Sequence, residues 1–261
     1  MHPQEQTLKA GDTSEQPSPI HTEPSLSGLS GQSPFKRIWF FTWRTFSLLF
    51  VLQIIYILLL RWVDPPITTT QFVRWVNGEG FSRDYVNWDE ISVPMRLAVI
   101  ASEDQMFPFH AGFDWSSIEK AAERNKRSKK IRGASTISQQ VAKNVFLWQG
   151  RSYFRKGLEV YFTFMIEAAW GKKRILEMYL NVSETGKGTF GVEAAARKNF
   201  NKSASKLNQT EAAMIAASLP NPRKYTVKPL SGYVASHYQH VVTQMNNLIG
   251  VPEIAALVKA D

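Results

Sequence analysis

The chain has 261 residues, 44% of them hydrophobic, no cysteine and a formal net charge of +9. That leaves room for one domain of about 200 residues once a tail and an anchor are set aside. The missing cysteines exclude a disulfide framework and thiolate chemistry, and five histidines without a spacing such as HExxH offer no zinc site. The charge is compatible with a nucleic acid, an anionic membrane surface or a phosphate-bearing substrate and does not choose among them.

Residues 1–33 are rich in Ser, Pro, Gln, Gly and Thr and nearly free of large apolar side chains, so they cannot repay the entropy of ordering and read as a disordered tail. FKRIWFFTWR (35–44) then leads into TFSLLFVLQIIYILLLRWV (45–63), uncharged until Arg61. Such a run is long enough to cross a bilayer as a helix, which places a transmembrane anchor at 38–63. The following RWVDPP has no small-residue cleavage site, against a signal peptide. Lys36, Arg37 and Arg44 outnumber Arg61 and Arg74 across the span, favouring a cytoplasmic N-terminus.

A single domain is expected over 70–250, and its pattern is helical. FVRWVNGEG (72–80) is a short helix or a strand before a turn. Apolar residues then recur at three and four in 89–102, 135–148, 156–170, 174–181, 190–200, 209–219 and 233–249, whereas period-two alternation is scarce. The fold class is therefore mainly α. NPRKYTVKPLSG (221–232) is an irregular connection, and there is no internal repeat.

Three stretches carry chemistry. DEISVPMRLAVIASED (89–104) sets Glu103 and Asp104 at the C-terminal end of a helix, where the macrodipole disfavours negative charge, so helix stability does not account for them. IRGASTISQQVAKNVFLW (131–148) sets Gln139 and Lys143 four apart on one helix face and Gln140 and Asn144 on the next. An amide-and-amine face at a helix start suits oxyanions; the plain alternative is a Ser or Thr cap followed by a solvated face. The basic KRSKKIRG (126–133) before it reads as an exposed loop, with Arg132 beside the glycine set apart. In RSYFRKGLEVYFTFMIEAAWGKKRILEMYLN (151–181), Arg155 and Lys156 precede Glu159, VYFTFMIEAAW reads as a buried core helix in preference to an interfacial one, and KKRILEMYLN is amphipathic.

SEDQMFPFHAGFD, RGASTISQQVAKN, RKGLEVYF, KKRILEMYLN and GVEAAARKNFNK, in this order and spacing, resemble the five-motif pattern of the family 51 glycosyltransferases, the peptidoglycan polymerases. The likeness spans about 70–245, and the single span with LPNPRKY near the end is similar to the family's monofunctional, membrane-anchored branch. The resemblance implies a lysozyme-like, mainly helical domain on the periplasmic face of the bacterial inner membrane. The partners it implies are lipid II, the nascent glycan strand and the membrane, not a nucleic acid. No organic cofactor is implied. Pairing of the anchor with division or elongation cell-wall proteins is left open by the sequence.

Residue by residue, the resemblance implies that Glu103 is the general base on the 4-hydroxyl of lipid II and that Asp104 shapes the substrate site by accepting hydrogen bonds. It places Glu159 on the donor side, managing the pyrophosphate directly or through a divalent metal, Mg or Mn. Lys143, Arg132, Arg151 and Arg155 match its cationic positions, with Ser135, Gln139, Gln140 and Asn144 as polar helpers, and NVSETGKGTFG (181–191) matches a motif that structures the cleft floor. Gly133-Ala134 and Asn199-Phe200 depart from the frequent Gly-Gly and Tyr-Phe. The rivals are a lytic muramidase, which would share the fold and one glutamate but have no use for the cations, and an inactive membrane-anchored scaffold. A transpeptidase is excluded because SIEK (117–120) and SASK (203–206) lack a following KTG.

Overall fold

The computed structural model describes residues 34–126, 133–150 and 152–259. The expected tail, residues 1–33, lies outside them. The chain divides into two units, one through Phe50 and one from Val51. The first, where described, is the opening of helix α1 (Pro34–Leu59), with Phe35, Trp39, Phe40, Phe46 and Leu49 exposed. Among the described residues one helix, Phe35–Leu59, is long and apolar enough to cross a membrane, with a mean hydropathy of 1.7. The sequence-based anchor, 38–63, is shifted against it: the helix starts at Pro34 and ends at Leu59, and Leu60–Val63 continue as hydrogen-bonded turns before the two prolines.

The second unit is mainly helical, as the spacing predicts. Helix α2 (Thr69–Val76) settles the ambiguity at 72–80, because Thr68 and Gln71 form a reciprocal capping box. Strand β1 (Ser82–Arg83) and helices α3 (Val93–Glu103), α4 (Trp115–Lys126), α5 (Ile137–Phe146), α6 (Tyr153–Ala169) and α7 (Lys172–Val182) follow. Strands β2 (Glu184–Gly186) and β3 (Thr189–Phe190) then lead into α8 (Val192–Phe200), α9 (Gln209–Ser218), α10 (Gly232–Leu248) and α11 (Pro252–Lys259). The strands form one small sheet in the order β1-β3-β2, with Ser82 opposite Thr189 in the parallel pair and Glu184 opposite Phe190 in the antiparallel one. The sequence missed α4 and α11. Helix α4 buries no residue and so has no apolar stripe to read, while α11 is eight residues long and buries only Ile254 and Val258.

Helix α3 is the central element. Every residue from Met95 to Ala101 is buried, because α9, α10 and α11 pack around it. A second group is formed by α5 against α6 and α7. Residues 51–64 belong to this unit. Trp170 donates through Nε1 to the Ile57 carbonyl at 2.8 Å, Arg61 to the Ala169 carbonyl at 3.0 Å, and Arg174 to the Leu60 carbonyl at 3.0 Å and to Asp64 at 2.8 Å.

Helix α6 corrects one expectation. It is a core helix on one side only: Glu159, Thr163 and Ile166 are its buried residues, while Tyr153, Phe154, Val160 and Phe164 stand exposed. Ile166, with Phe162 and Met165 beside it, packs on the core, Glu159 and Thr163 are also turned inward, and a second apolar set, Tyr153, Phe154, Val160 and Phe164, is left facing outward.

Helix α5 starts where sequence logic places it. Thr136 accepts from the Gln139 N–H while Gln139 Oε1 accepts from the Thr136 N–H, and the Thr136 hydroxyl donates to the Gly112 carbonyl at 2.7 Å. Thr136→Ala removes the cap and this tie together. The expected loss is about 1–2 kcal/mol, read as a lower denaturant midpoint with an unchanged slope.

Candidate active site

Glu103 is the last residue of α3 and Asp104 is its C-cap, so the end of the central helix delivers two adjacent carboxylates. The structure separates their tasks. Asp104 is buried and its oxygens are taken by the protein: Oδ2 accepts from the Ile137 N–H at 3.0 Å, and His110 Nε2 lies 3.0 and 3.1 Å from its two oxygens. His110 Nδ1 accepts from the Gly112 N–H at 3.1 Å, which makes Nε2 the protonated nitrogen facing Asp104. Asp104 therefore ties the end of α3 to the start of α5, where the helix dipole favours its charge. It lines the same cavity as Glu103, with both oxygens already in contact with the protein.

Glu103 is only partly buried, and its Oε2 accepts from Gln140 Nε2 at 2.8 Å. Burial pushes its carboxyl above the usual glutamate range and the neighbouring Asp104 adds to the rise, while the Gln140 hydrogen bond and the Lys143 charge oppose it. This carboxylate lines a cavity of about 530 Å³ together with Gln105, Met106, Asp114, Arg124 and Ser135.

A second cavity of about 680 Å³ shares Gly133 and Ser135 with the first and holds Lys143, Arg155, Lys156 and Glu159. Glu159 is 3% exposed, and its two oxygens are held by Arg155 at 2.7 Å and Lys156 at 2.5 Å. This is no ordinary surface i,i+4 pair. A buried carboxylate fixes two cations on the cavity wall, and because it faces two positive charges the cluster keeps a surplus of charge. Burial holds the Lys143 ammonium below its usual pKa, against the raising field of Glu159.

Most of the residues singled out from sequence converge here. Glu103, Ser135, Gln139, Gln140, Lys143, Arg155 and Glu159 line the two cavities. Asn144 lies in a third, of about 200 Å³, that adjoins the second at Gln140 and Lys143 and includes Tyr179 from α7 and Ser183 and Glu184 from the floor motif. Arg132 and Arg151 lie outside the described residues. Gln139 is more committed than expected, since its side-chain oxygen closes the cap of α5. Sequence reasoning noted Lys156 beside Arg155 without giving it a place in the site, and passed over His110 and Tyr179; the signals were the histidine inside the first motif and an aromatic with a hydroxyl on an inward helix face.

The donor set does not fit a divalent metal held by the protein alone. Among the described residues there is no group of three or more His, Cys, Asp or Glu side chains placed for one. Glu159, the expected ligand, has both oxygens engaged by cations.

The transglycosylase family profile matches residues 69–246. A biosynthetic peptidoglycan transglycosylase of Pseudomonas putida is 51% identical over 204 residues, covering 76% of this chain and 86% of the relative. One of Pseudomonas entomophila is 50% identical over 200 residues, covering 74% and 85%. One of Yersinia pestis is 48% identical over 231 residues, covering 85% and 95%.

Proposed function

Since the chain belongs to the transglycosylase family and is a peptidoglycan glycosyltransferase, we propose that it polymerises glycan strands by transferring the lipid-pyrophosphate-linked growing chain to the 4-hydroxyl of lipid II. Glu103 takes the hydroxyl proton as the acceptor oxygen attacks the anomeric carbon. The bond from that carbon to the pyrophosphate oxygen breaks with its electron pair on the leaving group. An α-linked donor attacked from the opposite face gives a β-1,4 linkage in one displacement, releasing undecaprenyl pyrophosphate.

The observation that carries this reading is the opposition of charges across one cleft. A carboxylate with a raised pKa faces one cavity, and Lys143, Arg155 and Lys156 face the next. A base for an alcohol works best with a pKa moved toward the working pH. A departing pyrophosphate gathers negative charge, and each fixed donor aimed at it stabilises the transition state by a few kcal/mol. The leaving group needs no proton, so a second carboxylic acid is unnecessary and Glu159 is free to organise cations. Any Mg or Mn ion in this reading arrives as a counter-ion of the lipid pyrophosphate.

The apolar helix α1 fits a single-pass anchor. In this reading it sits in the bacterial inner membrane with the N-terminus cytoplasmic and the catalytic domain periplasmic. The outward apolar face of α6 gives a lipid-linked substrate a route to Glu159 along hydrocarbon-compatible surface.

The test is incubation of the detergent-solubilised protein with labelled lipid II. The expected product is a polymer that muramidase digests. Folded protein that makes none, or that cleaves finished peptidoglycan, would return the weight to the scaffold or lytic readings.

The pH dependence follows with a definite sign. The base must be ionised, so kcat/KM falls as pH drops through the pKa of Glu103. Because burial raises that pKa, the acid limb should lie above the ordinary glutamate value of about 4.3. A limb at or below that value would rule out a buried base.

A further inference from the structure

Tyr179, on α7, has a wholly buried phenol, 2% exposed, that the steps above do not use. A phenylalanine would fill the same volume, and a buried hydroxyl is costly unless it is hydrogen-bonded. Its hydroxyl donates to Gln140 Oε1 at 3.4 Å, and the other end of the same amide, Nε2, donates to Glu103 Oε2 at 2.8 Å. A glutamine amide has one donating and one accepting end, and a flip exchanges them. Flipped, Gln140 would aim a carbonyl oxygen at the carboxylate, placing two acceptors in contact and removing the donor that favours the ionised base.

We propose that Tyr179 is a positioning residue for the proton transfer: the carboxylate, which only accepts, decides which end of the Gln140 amide faces it, and the Tyr179 hydroxyl braces the other end so that Nε2 stays within reach of Glu103. The proposal rests on the reading of Glu103 as the base. It also accounts for a hydroxyl in KKRILEMYLN, the stretch whose amphipathicity alone asks only for an apolar ring there.

The other groups around Glu103 do not supply this control. Asp104 adjoins it on α3, Lys143 reaches it from α5 as a charge, and Asp114 and Arg124 line the same cavity. From α9 and α10 the nearby partners of this helix end are the Ala216 carbonyl, bonded by Ser102, and Gln244, bonded by Gln105, both uncharged. Only Tyr179 touches the accepting end of the amide among the hydrogen bonds of the described residues.

The experiment is the pH profile of kcat/KM for lipid II polymerisation by the full chain, with thermal unfolding as a check on folding. The variants are Gln140→Leu, Tyr179→Phe and the double substitution. Gln140→Leu removes the donor outright and should move the acid limb up by about one pH unit. Tyr179→Phe, which deletes only the hydroxyl, should move it the same way by about half a unit, and the double variant should coincide with Gln140→Leu. A shifted limb for Gln140→Leu with an unshifted one for Tyr179→Phe overturns the role of Tyr179 and leaves the base reading standing. Additive shifts in the double variant overturn it as well. An unshifted limb for Gln140→Leu overturns the Glu103–Gln140 reading and the proposal with it.

Discussion

Glu103→Gln should lower the rate of lipid II polymerisation by about a thousandfold or more and should at the same time stabilise the fold at neutral pH. General-base contributions run to about 10²–10⁴-fold, and among the described residues the other carboxylates lining the Glu103 cavity are Asp104, bonded to Ile137 N–H and His110, and Asp114, bonded to Ser117. The stability sign follows from linkage. Burial raises the folded-state pKa of Glu103 above its unfolded value, so the folded state binds the proton more tightly and loses stability as pH rises through that interval. Glutamine keeps the shape and the Gln140 contact without the buried charge. The variant should therefore melt higher than the parent at pH 7.5, and the gap should close at a pH below about 4, where the unfolded carboxyl is also protonated. Turnover within a few-fold of the parent would sink the assignment of the base. A lower melting temperature at pH 7.5 would sink the account of a destabilising buried carboxylate.

Lys143→Ala should lower kcat by about 10²–10³-fold, the scale of one lost transition-state donor in a water-poor site. Lys143 stands where the second and third cavities meet, near enough to both glutamates for each to raise its pKa. Burial outweighs them and holds that pKa below the usual lysine range. If the ammonium meets the pyrophosphate as proposed it must stay charged, so the alkaline limb of the parent's pH profile should lie below that of an ordinary lysine. Lys143→Arg should move the limb upward, because a guanidinium does not deprotonate in this range. Weaker binding of a phosphoglycolipid such as moenomycin is expected in the alanine variant. A rise in KM with kcat unchanged would instead assign Lys143 to ground-state binding.

The helical fold was legible because the signals are local. Period 3.6 spacing marks α3, α5, α7, α8, α9 and α10 to within a few residues, and Thr136 with Gln139 writes the start of α5 into four positions. Helix α6 misled because its apolar content reads as core, whereas burial depends on what packs against each face, and there the buried residues include Glu159. The site residues were legible as types at a spacing and through the likeness of five motifs. Their roles were less so, since Glu103 and Asp104 are neighbours with the same chemistry.

The sequence by itself determined the apolar N-terminal helix and the helical class, because composition and periodicity depend only on neighbours along the chain, and the likeness of five motifs singled out the carboxylates and cations. The tertiary structure decided which carboxylate is free. By bringing the start of α5 against the end of α3 it gives Asp104 to the Ile137 N–H and His110, and leaves Glu103 with one amide and an open cavity. That division comes from residues more than 30 positions apart meeting in space, where burial and hydrogen bonding set proton affinity and no local pattern encodes them.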